Sequence, residues 1–172
     1  MSCDLLVITA SNGENLKLAE RFAAAAGSHG LSAEVLDLTT VPLPLFNPRT
    51  REEQGLPEAV APLSRRLEAA PRWVICTPEY NGSIPPLLTG AIAWLSVQGD
   101  DFRKLFNGRP IALATRSGSN GTTVLTALRL QLAHLGAQVV GRQLVSTATR
   151  PASEDTIHDI VGRLKQLHPL VV

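Results

Sequence analysis

The chain has 172 residues, of which 44% are apolar and 18% charged, and its net charge is +1 at pH 7. These values are typical of a globular domain with one large core, and they exclude a disordered chain and a basic nucleic-acid-binding surface. The apolar runs are too short for a transmembrane helix or a signal peptide, and two cysteines cannot form a disulfide framework. We therefore expect a cytoplasmic protein with no membrane partner.

Short runs rich in Val, Ile and Leu alternate along the chain with segments of helical periodicity. The runs predict five strands, at Leu5–Thr9, Ala33–Leu38, Trp73–Thr77, Ile111–Thr115 and Gln138–Leu144. The periodic segments predict five helices, near Asn15–Gly27, Pro62–Ala70, Pro86–Val97, Gly121–Leu135 and Glu154–Leu167.

Strict alternation of strand and helix predicts an α/β fold that spans residues 1–172 as one domain. The expected architecture is a doubly wound, five-stranded parallel sheet in the order 2-1-3-4-5 with helices on both faces. The segment Thr39–Gly55 contains three prolines, and we expect it to be an irregular rim beside the ligand crevice.

The first candidate loop joins the first strand to the first helix and reads Thr-Ala-Ser-Asn-Gly-Glu-Asn over residues 9–15. Amide N–H groups and the dipole at a helix N-terminus both attract negative charge, so this segment favours phosphate. The Gly-x-Gly-x-x-Gly and Gly-Lys-Ser/Thr patterns are absent, which excludes a dinucleotide fingerprint and a Walker loop. An ordinary capped turn is the alternative.

The most informative stretch is Thr-Pro-Glu-Tyr-Asn-Gly-Ser-Ile-Pro-Pro at residues 77–86, between the third strand and the third helix. Prolines fix its two edges, and Asn81-Gly82 permits positive φ in its centre. Such a loop presents backbone amides and carbonyls in a fixed array to a flat polar ring, which Tyr80 can cover. It follows the carboxyl end of a parallel strand, where open α/β sheets bind ligands.

The third candidate loop, Thr115–Gly121, follows the fourth strand and precedes the fourth helix. All three loops follow strands that end on the same side of the predicted sheet, so we expect them to converge. The helix that begins at the third loop would favour negative charge on a ligand at this edge.

These segments resemble the NADPH-dependent FMN reductases, a flavodoxin-like family that includes quinone, chromate and azo-dye reductases. The resemblance covers nearly the whole chain and is most specific at Pro-Glu-Tyr-Asn-Gly-Ser-Ile-Pro; the Asn-Leu-Lys-Leu-Ala stretch at residues 15–19 is similar to the family's Asn-x-x-Leu-Ala. It implies one non-covalent FMN per subunit, with NADPH or NADH as co-substrate. The implied FMN contacts are Ser11, Asn12, Asn15 and Leu16, with Ser11 and Asn15 at the phosphate; Pro78, Glu79, Tyr80, Asn81 and Gly82 along the isoalloxazine ring; and Ser117 and Gly118 at its pyrimidine O2 side.

Several side chains have competing interpretations. Glu79 is either an exposed acid near the substrate mouth or, as we expect, a structural acid bonded to loop amides. Arg116 either reaches a nicotinamide-nucleotide phosphate or is a solvated surface arginine. The family resemblance implies that Trp94 lies at a subunit interface. The four histidines show no metal-ligand spacing, and Cys76 in a central strand is expected to be a buried, inert residue.

The resemblance implies an enzyme that transfers two electrons from NAD(P)H through FMN to a quinone or similar small acceptor in a ping-pong scheme, with no catalytic side chain. It also implies a homodimer or homotetramer with the third helix and the segment Pro42–Gly55 near the shared site. One alternative is a flavin-binding electron carrier or regulatory protein without NAD(P)H turnover. The other is a flavin-free hydrolase or transferase that uses Glu79 or a loop serine.

Overall fold

The computed structural model describes residues 3–170. Its strands are β1 (Leu5–Thr9), β2 (Ala33–Asp37), β3 (Trp73–Cys76), β4 (Pro110–Arg116), β5 (Gln138–Val139) and β6 (Leu144–Ser146). Its α-helices are α1 (Glu14–Ser28), α2 (Pro48–Gln54), α3 (Val60–Glu68), α4 (Pro86–Ser96), α5 (Thr122–His134) and α6 (Glu154–Gln166).

The strands form one parallel sheet in the order β2-β1-β3-β4-β5, and β6 also pairs with β4. The predicted fold class and strand order are therefore confirmed. Residues alternate between the two faces of the sheet, as the period of two along a strand requires. In β1, for example, Leu5 and Val7 pack against α1 and α6, whereas Leu6 and Ile8 pack on the side of α3, α4 and α5.

The predicted fifth strand is in fact two short strands, and the prediction of one continuous strand over Gln138–Leu144 is wrong. β5 pairs with the start of β4 and β6 with its carboxyl end. Between them the Arg129 guanidinium binds the Val140 carbonyl at 2.8 Å and the Gln143 side-chain oxygen at 3.0 Å. These contacts from α5 take the place of strand pairing at the break.

The segment Thr39–Gly55 is not wholly irregular, because it contains helix α2. The Asn47 side chain accepts a hydrogen bond from the Arg49 N–H, Pro48 occupies the first turn, and Gly55 ends the helix with φ 78. This Asn-Pro start and Gly end is a recognised helix signal. No apolar stripe accompanies it, since no residue of α2 is buried, and for that reason the periodicity did not reveal the helix.

Trp94 on α4 is fully buried inside the chain, so the prediction that it lies at a subunit interface is wrong. Its indole N–H donates to the Pro44 carbonyl at 2.8 Å. Phe46 packs edge-on against it, with ring centroids 4.9 Å apart. The proline-rich segment before α2 therefore folds back over α4 and covers the apolar surface that the sequence had assigned to a neighbouring subunit.

Across residues 3–170 no helix is long and apolar enough to cross a membrane. Within the same range no group of three or more metal-ligating side chains comes together. Cys3 and Cys76 are both buried and unpaired, and burial raises the pKa of the Cys76 thiol far above its ordinary value. Cys76 is therefore the inert core residue that the sequence predicted.

Candidate functional site

The three candidate loops follow β1, β3 and β4, which are neighbours in the sheet. Thr9 at the end of β1 pairs in register with Cys76 at the end of β3, which pairs with Ala114 near the end of β4. The loops therefore leave one edge of the sheet side by side. The sheet order reverses direction between β1 and β3, and such a point forms the ligand crevice of a doubly wound fold.

Loop one, residues 10–13, is held by Thr9 and leaves a row of backbone donors free. The Thr9 hydroxyl donates to the Ser11 carbonyl at 2.9 Å and accepts from the Ser11 N–H at 3.3 Å. The next four backbone N–H groups, from Asn12 to Asn15, donate to no acceptor among the described residues. They surround the start of α1, where Gly13 as N-cap offers no side-chain cap.

Four free N–H groups at a helix N-terminus are a site for a phosphate-sized anion. The loop itself has no Lys or Arg, and Lys17 in the next turn is paired with Glu14 at 2.7 Å. The charge of a bound phosphate would therefore be met by the backbone and by the Ser11 hydroxyl, which is engaged with no described residue. Among the two interpretations of this segment, an anion site fits better than an ordinary capped turn, because the cap is missing.

Asn15 connects loop one to loop three. It is 3% exposed, its side-chain oxygen accepts from the Arg116 N–H at 2.8 Å, and its amide donates to the Arg116 carbonyl at 3.0 Å. Of its donors, only the backbone N–H is therefore free for the phosphate contact that the sequence predicted. Leu16 donates its N–H to the Gly13 carbonyl, so only its apolar side chain is left for a ligand.

Loop two, residues 77–85, contains a tight two-residue turn at its tip. The N–H and carbonyl of Tyr80 bond to the carbonyl and N–H of Ser83 at 3.1 and 2.9 Å. The two central residues, Asn81 and Gly82, have φ of 52 and 71, the geometry of a type I′ turn. The turn leaves the Asn81 and Gly82 N–H groups and the Asn81 amide unbonded to described residues, and Tyr80 is 51% exposed.

Glu79 ties loop two to loop three. One oxygen of its carboxylate accepts from the Ser117 hydroxyl at 2.6 Å, from the Ser119 hydroxyl, and from the Gly121 N–H at 3.2 Å. The hydrogen bonds from Ser117 and then Ser119 hold the pKa of the Glu79 carboxyl below its usual range, so it is ionised at neutral pH. The stability these bonds add is present above the ordinary carboxyl pKa and is lost as pH falls through the lowered value. Glu79 is thus the structural acid that the sequence favoured.

Loop three, residues 117–121, keeps two backbone donors free. The N–H of Ser117 donates to the Ser146 carbonyl, that of Ser119 to the Ser117 hydroxyl, and that of Gly121 to Glu79. The N–H groups of Gly118 and Asn120 donate to no described acceptor. Ser117 is 2% exposed and gives its only hydroxyl proton to Glu79, so the contact predicted for it at a ligand cannot be a donated hydroxyl bond.

Gly121 must be glycine at the end of this loop. Its φ is 70, and a Cβ there would lie 2.8 Å from the Thr115 methyl and 2.9 Å from a Val145 methyl.

The Arg116 guanidinium donates a hydrogen bond to the carbonyl of Ser117 at 2.9 Å. Arg116 is half-buried and bonded to its own loop, so it is not the fully solvated arginine of one interpretation, and its contact with a nucleotide phosphate stays a prediction.

The residues at this edge fit FMN. Loop one offers free N–H groups to a phosphate, and loops two and three offer free N–H groups and an exposed aromatic ring to a flat heterocycle. The sequence did not predict two groups of this site: the Thr9 hydroxyl, which holds the backbone of loop one, and the Asn120 N–H. The only sequence signal for Thr9 is its place at the end of a strand, and for Asn120 its place before the glycine that begins a helix.

Asn81→Gly and Asn81→Ala should separate ligand binding from turn strain. Both remove the side-chain amide, but only alanine adds the cost of a left-handed backbone, about 1–2 kcal/mol. We expect both variants to bind FMN at least about tenfold more weakly, and only Asn81→Ala to lose apoprotein stability in urea unfolding. Unchanged FMN affinity in Asn81→Gly, measured by flavin fluorescence quenching, would show that the amide does not touch the cofactor.

The chain is similar to several proteins of known class. The family profile described as NADPH-dependent FMN reductase matches residues 3–150. An NADPH azoreductase of Bacillus sp. is 31% identical over 77% of this chain and 75% of its own length. A quinone reductase of Escherichia coli K12 is 34% identical over 58% of this chain; the match spans about half of that relative, 53% of its length.

Among solved structures, the flavoenzyme NAD(P)H:(acceptor) oxidoreductase FerB of Paracoccus denitrificans superposes with a TM-score of 0.70 at 22% identity. The superposition covers 94% of this chain and 92% of that one. At this identity the likeness shows the fold alone, whereas the profile match covers most of the chain, including all three loops. The sequence therefore identifies the protein as a member of the NADPH-dependent FMN reductase family.

Proposed function

We propose that this protein binds one FMN non-covalently and uses it to pass two electrons from NAD(P)H to a quinone or a similar small acceptor. The observation that carries the proposal is the set of free backbone donors on three adjacent loops, from Asn12–Asn15, through Asn81 and Gly82, to Gly118 and Asn120. A phosphate group and a polar ring edge both accept hydrogen bonds, so free donors on all three loops suit a ligand that carries both. Family membership supports FMN as the ligand that supplies both.

Each loop has a separate task in this proposal. The N–H groups at the start of α1 hold the FMN phosphate, and those of loops two and three bind the pyrimidine edge of the ring. Asn15 and Glu79 keep the three loops in register, because each bonds residues about 40 to 100 positions away in the sequence. Tyr80, at 51% exposure, can move against a ring or a bound substrate without unpacking the core.

No side chain of the site needs to act as an acid or a base. When bound, FMN would supply the redox chemistry, the transfer of two electrons from NAD(P)H to the acceptor; a quinone would receive the equivalent of the hydride together with one proton from water. The chain holds and orients the cofactor. If donor and acceptor contact the same face of the cofactor in turn, the reaction follows a ping-pong scheme.

The test is reconstitution followed by kinetics. Heat release and chromatography should give FMN and not FAD, and initial rates of NAD(P)H oxidation at several quinone concentrations should give parallel double-reciprocal lines. FMN-loaded protein that oxidises NAD(P)H no faster than free FMN would identify an electron carrier instead. Protein that takes up no flavin would favour the flavin-free hydrolase or transferase.

Both buried thiols are free, which supports a cytoplasmic location as part of the proposal.

We further propose a two-fold symmetric homo-oligomer, with a contact surface different from the one that Trp94 suggested. An apolar groove lies between α4 and the proline-rich segment before α2. It is lined by Leu43, Pro44, Leu45, Pro86, Leu87, Gly90 and Ala91. Leu45 is 79% exposed at its edge, and a Cβ added at Gly90 would meet nothing within 4 Å. An exposed apolar surface beside the site favours contact with a second copy of the chain, which would also wall the crevice.

Leu45→Glu should convert the oligomer to monomers. The change places a charge on the groove without touching the core, so the fold should persist while the two-fold contact weakens by at least about tenfold. Light scattering across a dilution series measures the shift. Leu130→Glu is the matched control, because Leu130 is 68% exposed on α5 and does not line the groove. A fully active wild-type monomer at assay concentration would contradict the proposal.

A further inference from the structure

The N-terminus of α5 already carries an anion that belongs to the protein. Gly121 is the N-cap of α5, and its N–H points to the carboxylate of Glu79 at 3.2 Å. Ser117 and Ser119, the other polar side chains bonded to that carboxylate, turn their hydroxyls toward it. A helix N-terminus attracts one negative charge in this way, and here Glu79 supplies it. The expectation that this helix end would stabilise charge on a ligand is therefore corrected.

This placement has a consequence for a redox cofactor. Two-electron reduction of a flavin increases negative charge at its pyrimidine edge. The fixed carboxylate of Glu79 repels that charge, and the hydroxyls of Ser117 and Ser119 cannot donate to it because their protons are directed to Glu79. On loop three, only the N–H groups of Gly118 and Asn120 are free to donate hydrogen bonds that stabilise this negative charge.

We propose that Glu79 is a positioning residue that sets the redox potential of the cofactor: its carboxylate occupies the N-terminus of α5, holds loop three and lowers the midpoint potential of bound FMN. The proposal rests on the FMN binding of the proposed function. It adds that this chain shifts the midpoint potential of the bound FMN downward. Oxidised FMN is bound more tightly than reduced FMN. The enzyme is thereby suited to giving electrons to acceptors of low potential, at the expense of driving force for hydride uptake.

A merely structural Glu79 predicts something different. If the carboxylate only held the loop, its loss would weaken oxidised and reduced FMN equally, and the midpoint potential would stay the same. If the charge acts on the flavin, its loss weakens the two forms unequally. The midpoint potential measures the ratio of the two affinities, so it separates the two cases.

The experiment compares Glu79→Gln with Glu20→Gln and Ser119→Ala. Glutamine keeps the shape and one oxygen acceptor but removes the charge. Glu20→Gln makes the same change at an exposed residue of α1 that bonds to no residue of loop three. We expect Glu79→Gln to tighten reduced relative to oxidised FMN by about tenfold, which raises the midpoint potential by about 30 mV for a two-electron couple. Glu20→Gln should match wild type, and Ser119→Ala, which keeps the charge, should not raise the potential.

An unchanged or lowered potential in Glu79→Gln would overturn the proposal, as would an equal rise in Ser119→Ala. The wild type provides a second measurement that needs no variant to fold: its bound FMN should have a lower potential than free FMN at pH 7, and a higher one would overturn the proposal. Equilibration with a reference dye requires no acceptor. Lack of turnover with quinones would therefore contradict the proposed function and leave this inference standing.

Discussion

Asn15→Ala should destabilise the apoprotein by about 2–4 kcal/mol and also weaken FMN binding. The Asn15 side chain satisfies both the N–H and the carbonyl of Arg116 in a position that is 3% exposed. Alanine leaves two backbone groups without partners, and each such group costs about 1–3 kcal/mol. The same bonds hold loop one against loop three, so the free N–H groups of both loops should lose their alignment.

Asn12→Ala is the matched control for stability. Asn12 lies in the same loop, is exposed, and its side chain bonds to no described residue, so its removal should change the unfolding free energy by less than about 0.5 kcal/mol. Urea unfolding of the apoproteins gives the stabilities, and fluorescence titration gives the FMN affinities. If Asn15→Ala is as stable as Asn12→Ala, the two loops are held together by other contacts.

Trp94→Ala should cost about 3–5 kcal/mol, the range for removal of a large aromatic side chain from a core. Trp94 is fully buried, packs against Phe46 and anchors the Pro44 carbonyl, so its loss should also free the segment before α2. We expect new protease cleavage within residues 41–47. Trp94→Phe keeps most of the packing and loses the hydrogen bond, so it should cost far less. A Trp94→Ala variant with wild-type stability would mean that the segment does not depend on this contact.

The elements that the sequence predicted correctly are those with a local signal. Buried parallel strands such as β1 and β3 are continuous apolar runs, and the stripe of Ile157, Ile160 and Leu164 marks α6 without ambiguity. The turn at Asn81-Gly82 was also predictable, because few residue pairs adopt positive φ at consecutive positions. Helix α2 could have been found from Asn47, Pro48 and Gly55, since its caps carry the signal that its exposed surface lacks.

By itself, the sequence determined that this is an α/β fold with strand order 2-1-3-4-5, that three loops meet at one edge, and to which family the chain belongs. The fold and the loops follow from periodicity and turn chemistry, which act over a few residues. The family follows from a contiguous sequence motif. Only the tertiary structure decided that Asn15 bonds Arg116, that Glu79 occupies the start of α5, and that Trp94 is covered by its own chain. The partners of Asn15, Glu79 and Trp94 lie 101, 42 and 50 positions away in the sequence, respectively. A hydrogen bond across such separations depends on how whole elements pack, and no local pattern encodes it.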